Sequence, residues 1–261
     1  NTGLGHNALH LNTTADNNTA VGALAAYSNT TGSENSAFGK EALKFNTTGY
    51  YNAAFGHNAM RDNTEGFENS AFGMVALLEN TTGDYNTALG TRALQNNTTA
   101  SRNTAVGYQS SYGNTTGSAN ASVGYQALYT NTTGAENTAL GDQSLYLNTT
   151  GNGVTGLGRF ALYANTTGNY NTAVGLQSLV SNTTASAHTA IGYQAAYSTV
   201  NSTTYAITAL GYQAAFNTTS GTQSTALGTQ ALFSNTTGSN VAIGNTTLYA
   251  NTTGTGNTGL G

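Results

Sequence analysis

The residues with the clearest chemical potential are the asparagines of a recurring Asn-Thr-Thr triplet. Each triplet matches N-x-[ST], the acceptor sequence for N-linked glycans, which would lie on exposed loops and form a glycan coat. Turn chemistry and an Asn/Thr ladder are the alternative, because both side chains hydrogen-bond turn backbones. The thirteen candidate glycosylation sites are Asn12, Asn29, Asn46, Asn80, Asn97, Asn114, Asn131, Asn148, Asn165, Asn182, Asn217, Asn235 and Asn251.

Two units depart from this triplet. Asn63 is followed by Thr64 and Glu65, which breaks the acceptor sequence. In a longer unit, Asn201 begins a displaced Asn-Ser-Thr. A loop that varies in length yet keeps its triplet predicts asparagines that point outward.

Other reactive side chains are few and are not arranged for chemistry. The four histidines, His6, His10, His57 and His188, fall at different places in the repeat described below, and the acidic residues are scattered. A metal site needs several such ligands together. No Ser-His-Asp pattern and no Lys-containing phosphate loop occurs. We therefore expect no catalytic residue, no cofactor and no metal, and we do not expect an enzyme.

Four tyrosines recur at one position of consecutive units. Exposed aromatic rings in such a row could stack on sugars, or the rings could stack on one another and fix the register of the units. The sequence favours the second interpretation. The four residues are Tyr112, Tyr129, Tyr146 and Tyr163.

The composition excludes several classes of partner. Only 6% of the 261 residues are charged, and the formal net charge is −4. Six Lys and Arg residues cannot form the basic surface that nucleic acid requires. No apolar run approaches the roughly 18 residues of a membrane span. We expect neither a nucleic-acid partner nor membrane insertion of this segment.

A 17-residue repeat positions all of these residues. Its consensus is N-T-A-Φ-G-x-Q-A-L-Y-x-N-T-T-G-x-x, where Φ is apolar, and it covers residues 1–261 in fifteen full units and a remainder. We expect one tandem-repeat array, an excerpt of a longer fibre. The fifth position is always Gly, which permits a positive φ or a close backbone contact. The predicted bends are Gly5, Gly22, Gly39, Gly56, Gly73, Gly90, Gly107, Gly124, Gly141, Gly158, Gly175, Gly192, Gly211, Gly228 and Gly244.

The irregular units indicate which positions are packed. Two extra residues lie between Ser198 and Ala206, a triplet is displaced at Asn217, and one residue is missing before Asn240. Loops accept such changes, whereas packed strands do not. Positions 1 to 5 and about 7 to 11 are therefore the predicted packed elements, and Asn-Thr-Thr-Gly is the predicted loop.

Short apolar runs and frequent Asn, Thr and Gly favour strands over helices. We predict an all-β fold, a repeat β-solenoid of about fifteen 17-residue coils, each with two strands and stacked about 4.8 Å apart. The apolar positions 4 and 9 should form ladders inside the coil. The alanines at positions 3 and 8 should allow another chain to approach, and Ala88→Glu should then disrupt the association.

Asn-Thr-Ala-Val-Gly, at 18–22, 103–107 and 171–175, resembles the head repeats of trimeric autotransporter adhesins and the related repeats of bacteriophage tail-fibre shafts. The resemblance covers the whole chain through a short motif. It implies a left-handed parallel β-roll, a homotrimer packed about a common axis, and a stiff surface projection used for attachment.

We therefore expect a structural segment of an extracellular, cell-surface or virion fibre that associates with itself and projects toward a surface receptor. A glycan-coated extracellular fibril with a scaffold role is the alternative. An ice-binding solenoid is a minor alternative, because the Thr row at position 2 is interrupted at Ala53 and Val241.

Overall fold

The computed structural model describes residues 1–200, 206–219 and 223–261. Two compact units divide the chain, Asn1–Thr133 and Gly134–Gly261. The described residues form sixteen strands and no helix, and the predicted all-β solenoid is confirmed. Since it contains no helix, the described part of the chain has no helical segment that could cross a membrane. The displaced triplet beginning at Asn201 lies outside the described residues.

Each strand occupies positions 2 to 4 of a repeat. Thr, Val and Ile favour extended backbone, and the flanking Asn and Gly limit the strand to three residues. The strands are β1 (Thr2–Leu4), β2 (Thr19–Val21), β3 (Ser36–Phe38), β4 (Ala53–Phe55), β5 (Ser70–Phe72), β6 (Thr87–Leu89), β7 (Thr104–Val106), β8 (Ala121–Val123), β9 (Thr138–Leu140), β10 (Thr155–Leu157), β11 (Thr172–Val174), β12 (Thr189–Ile191), β13 (Thr208–Leu210), β14 (Thr225–Leu227), β15 (Val241–Ile243) and β16 (Thr258–Leu260).

Strands pair in parallel and in chain order within each unit, β1 to β8 in the first and β9 to β16 in the second. Equivalent positions face each other across every pair. Thr189 lies opposite Thr208 despite the inserted residues, and Thr225 lies opposite Val241 despite the missing residue. The length changes therefore fall outside the strands, as predicted.

The predicted second strand at positions 7 to 11 is wrong. This segment is a series of turns, and positions 7 and 9 have positive φ even when they are bulky, as at Glu41 (+60°) and Leu43 (+50°). The left-handed residues coil the backbone tightly, yet they still bond neighbouring coils: the Glu41 amide donates to the Ala23 carbonyl at 2.9 Å and the Leu43 amide to the Ala59 carbonyl at 3.1 Å. These bonds offset the roughly 1–2 kcal/mol that a left-handed residue costs.

The predicted orientations of positions 3 and 4 are also wrong: position 3 faces the interior of the coil and position 4 faces outward. Alternation along the strand turns position 3 inward and positions 2 and 4 outward. Ala88 is fully buried, whereas Leu89 beside it is 49% exposed. Position 9 fills the interior as predicted, with Leu94 fully buried. The coil is narrow enough that only small residues, mostly Ala, fit at positions 3 and 8 beside this leucine, so the alanines are core residues rather than a surface for another chain.

All fifteen predicted bend glycines have φ between +128° and +147°, a conformation that L side chains rarely adopt. At Gly22, a Cβ would lie 2.5 Å from the carbonyl oxygen of Gly39 in the next coil. Positive φ and close backbone approach thus occur together at this position.

Candidate functional site

The most elaborate side-chain arrangement is a ladder of asparagines at position 12. Asn46 donates one amide hydrogen to Oδ1 of Asn29 in the preceding coil, at 2.8 Å, and another to the Gly49 carbonyl of its own turn, at 2.9 Å. Its own Oδ1 accepts from Asn63 at 2.7 Å. Each amide is therefore used on both sides, along the stack and within the turn.

A second asparagine ladder at position 1 closes each coil. Oδ1 of Asn18 accepts from the backbone amide of Asn35 at 2.8 Å, and the Asn35 side chain donates to the Gly49 carbonyl at 2.8 Å. Gly49 thus accepts from Asn35 and from Asn46, which ties the end of the coil to its beginning. These paired bonds satisfy polar groups that would otherwise be costly to bury.

The predicted outward orientation of the glycosylation candidates is wrong. Ten of the thirteen are fully buried, namely Asn29, Asn46, Asn80, Asn97, Asn114, Asn131, Asn148, Asn165, Asn182 and Asn235. A glycan would attach to the same Nδ2 that donates along the stack, and the interior has no room for a sugar.

The remaining three candidates are half-buried. Asn12 and Asn251 still donate within their turns, to the carbonyls of Ala15 and Gly254. Asn217 stands at position 11, one residue before the ladder. Because the acceptor amides are buried or bonded within the turns, this geometry does not support a glycan coat.

The ladder is interrupted in two consecutive coils of the second unit, where position 12 is Thr199 and Thr218. Both are buried, and within the described residues neither hydroxyl has a hydrogen-bond partner. The flanking Oδ1 of Asn182 and Nδ2 of Asn235 are likewise without partners there. These two coils carry two of the three irregularities of the repeat, the insertion after Ser198 and the displaced triplet at Asn217, so the defect in the ladder accompanies them.

Comparison of the chain with protein-family models, with curated proteins and with solved structures gives no significant match. What the molecule does must therefore be argued from the geometry of the coils.

His188 takes the position of an asparagine in the position-1 ladder. Its backbone amide donates to Oδ1 of Asn171 at 2.9 Å, and its Nδ1 accepts from the Ile207 amide at 3.0 Å. Burial lowers the pKa of His188 from its ordinary 6.5 to about 4, so the ring is neutral at pH 7. The described residues bring no three His, Asp or Glu side chains together as a metal site requires.

Aromatic rings form columns along the stack. Tyr112 lies 5.2 Å from Tyr129 in the first unit, and Tyr146 lies 5.2 Å from Tyr163 in the second, each pair with nearly parallel rings. The self-stacking interpretation of these pairs is confirmed. Spacing near 5 Å follows from the advance of one coil per ring.

Position 4 forms an apolar row on the outer face of the strands in each unit. Several of its aliphatic members are open to solvent, and Leu89, Leu140 and Leu210 are 49%, 45% and 42% exposed. In the first unit, Phe38, Phe55 and Phe72 stack along this row. A monomeric soluble protein rarely exposes contiguous apolar surface of this kind unless the surface binds something.

A buried trio of hydroxyl groups was missed by sequence reasoning. Ser110, Ser111 and Ser122 replace the Ala, Leu and Ala that are usual at positions 8, 9 and 3. Oγ of Ser122 lies 2.6 Å from that of Ser110 and 2.8 Å from that of Ser111. The sequence carries a signal for this trio, because Ser replaces an apolar residue at positions 8 and 9 of one coil and at position 3 of the next. The three hydroxyl groups hydrogen-bond to one another inside the coil, so we assign them a structural role.

Proposed function

We propose that the chain is a structural segment of an extracellular, cell-surface or virion fibre and that it acts as a projecting spacer for attachment rather than as an enzyme. The supporting observation is that most buried asparagines of the described residues are engaged in ladders between coils. Asn46, for example, bonds both neighbouring coils and its own turn. Because its polar side chains bond adjacent coils rather than form a binding or catalytic site, the repeat is suited to building an extended structure.

The fibre segment associates with further copies of the same chain through the row at position 4. The exposed row around Leu89 supports this part of the proposal. An array with the same coil spacing can meet every member of the row, whereas a partner without that period meets only a few. Ala88 does not enter into the contact, because it lies inside its own coil.

The spacer role is tested by changing the number of coils. Insertion of eight consensus units should lengthen the particle by about 38 Å at about 4.8 Å per coil, measured by small-angle scattering. An increase in mass without a proportional increase in maximum dimension would contradict the proposal. Antibodies against the repeat should also label the surface of intact source cells or virions, and exclusively intracellular labelling would count against it.

Self-association is tested separately by Leu89→Glu. The substitution places a charge in the outer row without touching the interior, so the coil should stay folded while the mass measured by light scattering falls. Thr99→Glu is the matched control, since Thr99 is exposed in the loop and Glu65 occupies the same repeat position naturally. Equal masses for all three proteins would remove self-association from the proposal and leave the spacer role standing.

A further inference from the structure

An aromatic column in the second unit lacks one ring. Position 10 carries Tyr146 and Tyr163, stacked 5.2 Å apart, and farther along the chain Tyr197 and Phe216, stacked 4.9 Å apart. In the coil between these two pairs, position 10 is Val180.

Backbone bonds place Val180 in the column. The Ala164 amide donates to the Val180 carbonyl at 3.1 Å, and the Ser181 amide donates to the Tyr197 carbonyl at 3.3 Å. Tyr163 and Tyr197 are therefore two coils apart, a separation of about 10 Å at about 4.8 Å per coil. A ring at position 10 would fill this interval, whereas the smaller Val180 side chain fills only part of it.

A groove opens beside Val180, on the side of the preceding coil, which carries Phe160 and Tyr163. It has a volume of about 250 Å³ and is lined by Gln143, Phe160, Tyr163 and Val180. Phe160 meets Tyr163 edge to face, with ring centres 5.6 Å apart and planes at 87°. The groove thus offers one aromatic face and one perpendicular ring, an arrangement in which aromatic rings attract a further ring.

The Phe160 ring also contacts an exposed ion pair. The guanidinium carbon of Arg159 lies 4.3 Å from the centre of the Phe160 ring, a cation–π contact. Nε of Arg159 is 3.2 Å from a carboxylate oxygen of Asp142, and the two side chains are 60% and 43% exposed.

We propose that this groove binds a single planar aromatic ring of about the size of phenol, which packs against Tyr163 and Phe160 beside Val180. Three of the four lining side chains present carbon surface. A sugar ring would instead need several hydrogen bonds for its hydroxyl groups. This binding activity goes beyond the spacer role and does not depend on it.

The test uses the full chain with p-cresol, and with N-acetyl-tyrosine amide as the analogue of a tyrosine side chain in a partner protein. Saturation-transfer NMR should show ring contact, and the amide resonances of Ala164 and Ser181 should shift. We expect millimolar affinity, as is usual for so small a ligand. Binding of p-cresol alone would indicate a free aromatic ligand, and binding of both would extend the site to protein side chains.

Two variants decide whether the missing ring makes the site. Val180→Tyr completes the column and should abolish binding, whereas Val180→Ala should retain it.

Absence of p-cresol binding to the unmodified chain would overturn the proposal. So would undiminished binding to Val180→Tyr, or preferential binding of methyl glucoside. Circular dichroism of each variant confirms that a loss of binding does not come from a loss of fold.

Discussion

Restoring the interrupted asparagine ladder should stabilise the second unit. The changes are Thr199→Asn and Thr218→Asn, made singly and together. In the regular coils, Nδ2 of each position-12 asparagine donates to Oδ1 of the asparagine before it, as Asn165 does to Asn148 at 2.8 Å. The double variant would therefore connect Asn182 to Asn235 through three new side-chain bonds.

The magnitude follows from the count of bonds. Each net hydrogen bond contributes about 0.5–1.5 kcal/mol, so three contribute about 3 kcal/mol. Thr199→Asn alone gains the bond to Asn182, and Thr218→Asn alone gains the bond from Asn235. The bond between the two new asparagines forms only in the double variant, so the cycle should show a coupling free energy of about 1 kcal/mol.

Hydrogen exchange is the suitable assay, because stability in a repeat array is a sum of local terms. The amides of Ser198 and Asn217 donate to the carbonyls of Phe216 and Phe233 at 2.9 and 3.0 Å and report on these two coils. A gain of about 3 kcal/mol should slow their exchange about 100-fold.

The control removes one asparagine from the corresponding ladder of the first unit. Asn80→Thr deletes the bonds to Asn63 and from Asn97, which measure 2.7 and 2.8 Å, and exchange should accelerate in the coils around it. If the stability effects of the two single variants simply add, or if exchange is unchanged in the double variant, the bonds of the ladder do not stabilise these coils.

Three further predictions concern single positions. The pKa of His188 is about 4 in the folded state and about 6.5 in the unfolded state, so its contribution to the free energy of unfolding is complete above pH 6.5 and is lost as the pH falls toward 4. Urea titrations should show a loss of about 3 kcal/mol over that pH range. His188→Asn should remove this pH dependence. Gly22→Ala should cost upwards of about 3 kcal/mol through strain and a clash with the next coil, whereas Gly256→Ala, with φ +73° and open space, should cost about 1 kcal/mol, compared by thermal unfolding. Leu94→Ala should cost about 2–5 kcal/mol by leaving a cavity, and Leu89→Ala, being half exposed, should cost under about 1 kcal/mol in the unassociated protein by the same measurement.

The bends and the loops of the coil could be predicted from the sequence, because backbone conformation and chain length restrict which residues can occupy them. An invariant Gly such as Gly22 predicts a bend because few other residues accept its φ, and the length changes before Asn240 show where the loop lies. The apolar residues around Leu43 predict a strand, which the structure does not contain. Nothing in the composition of this segment signals a leucine with φ +50°, since bulky residues rarely adopt that region.

The orientation of side chains was harder to predict, for two reasons. Alternation in a three-residue strand does not say which face is inside, and the width of the coil, which decides that Ala88 and not Leu89 fits, appears only in three dimensions. One feature of the sequence does indicate that the asparagines are buried. Asn63 is kept although Glu65 breaks the acceptor motif, and Asn63 proves to be fully buried in the ladder.

The coil differs from an ordinary globular domain in where its large apolar side chains lie. Its interior holds one large apolar side chain per regular repeat, such as Leu94, beside small residues and amides such as Ala88 and Asn80, while others such as Leu89 face outward. Burial of apolar surface alone cannot hold so narrow a coil, because one Leu per repeat is the main apolar side chain that it covers. The hydrogen-bond ladders must supply the remainder, and each ladder works only if the next coil is present. The same geometry explains why repetition is strict inside and why the outer apolar row, which the coil does not need for its own fold, is the surface most free to serve association.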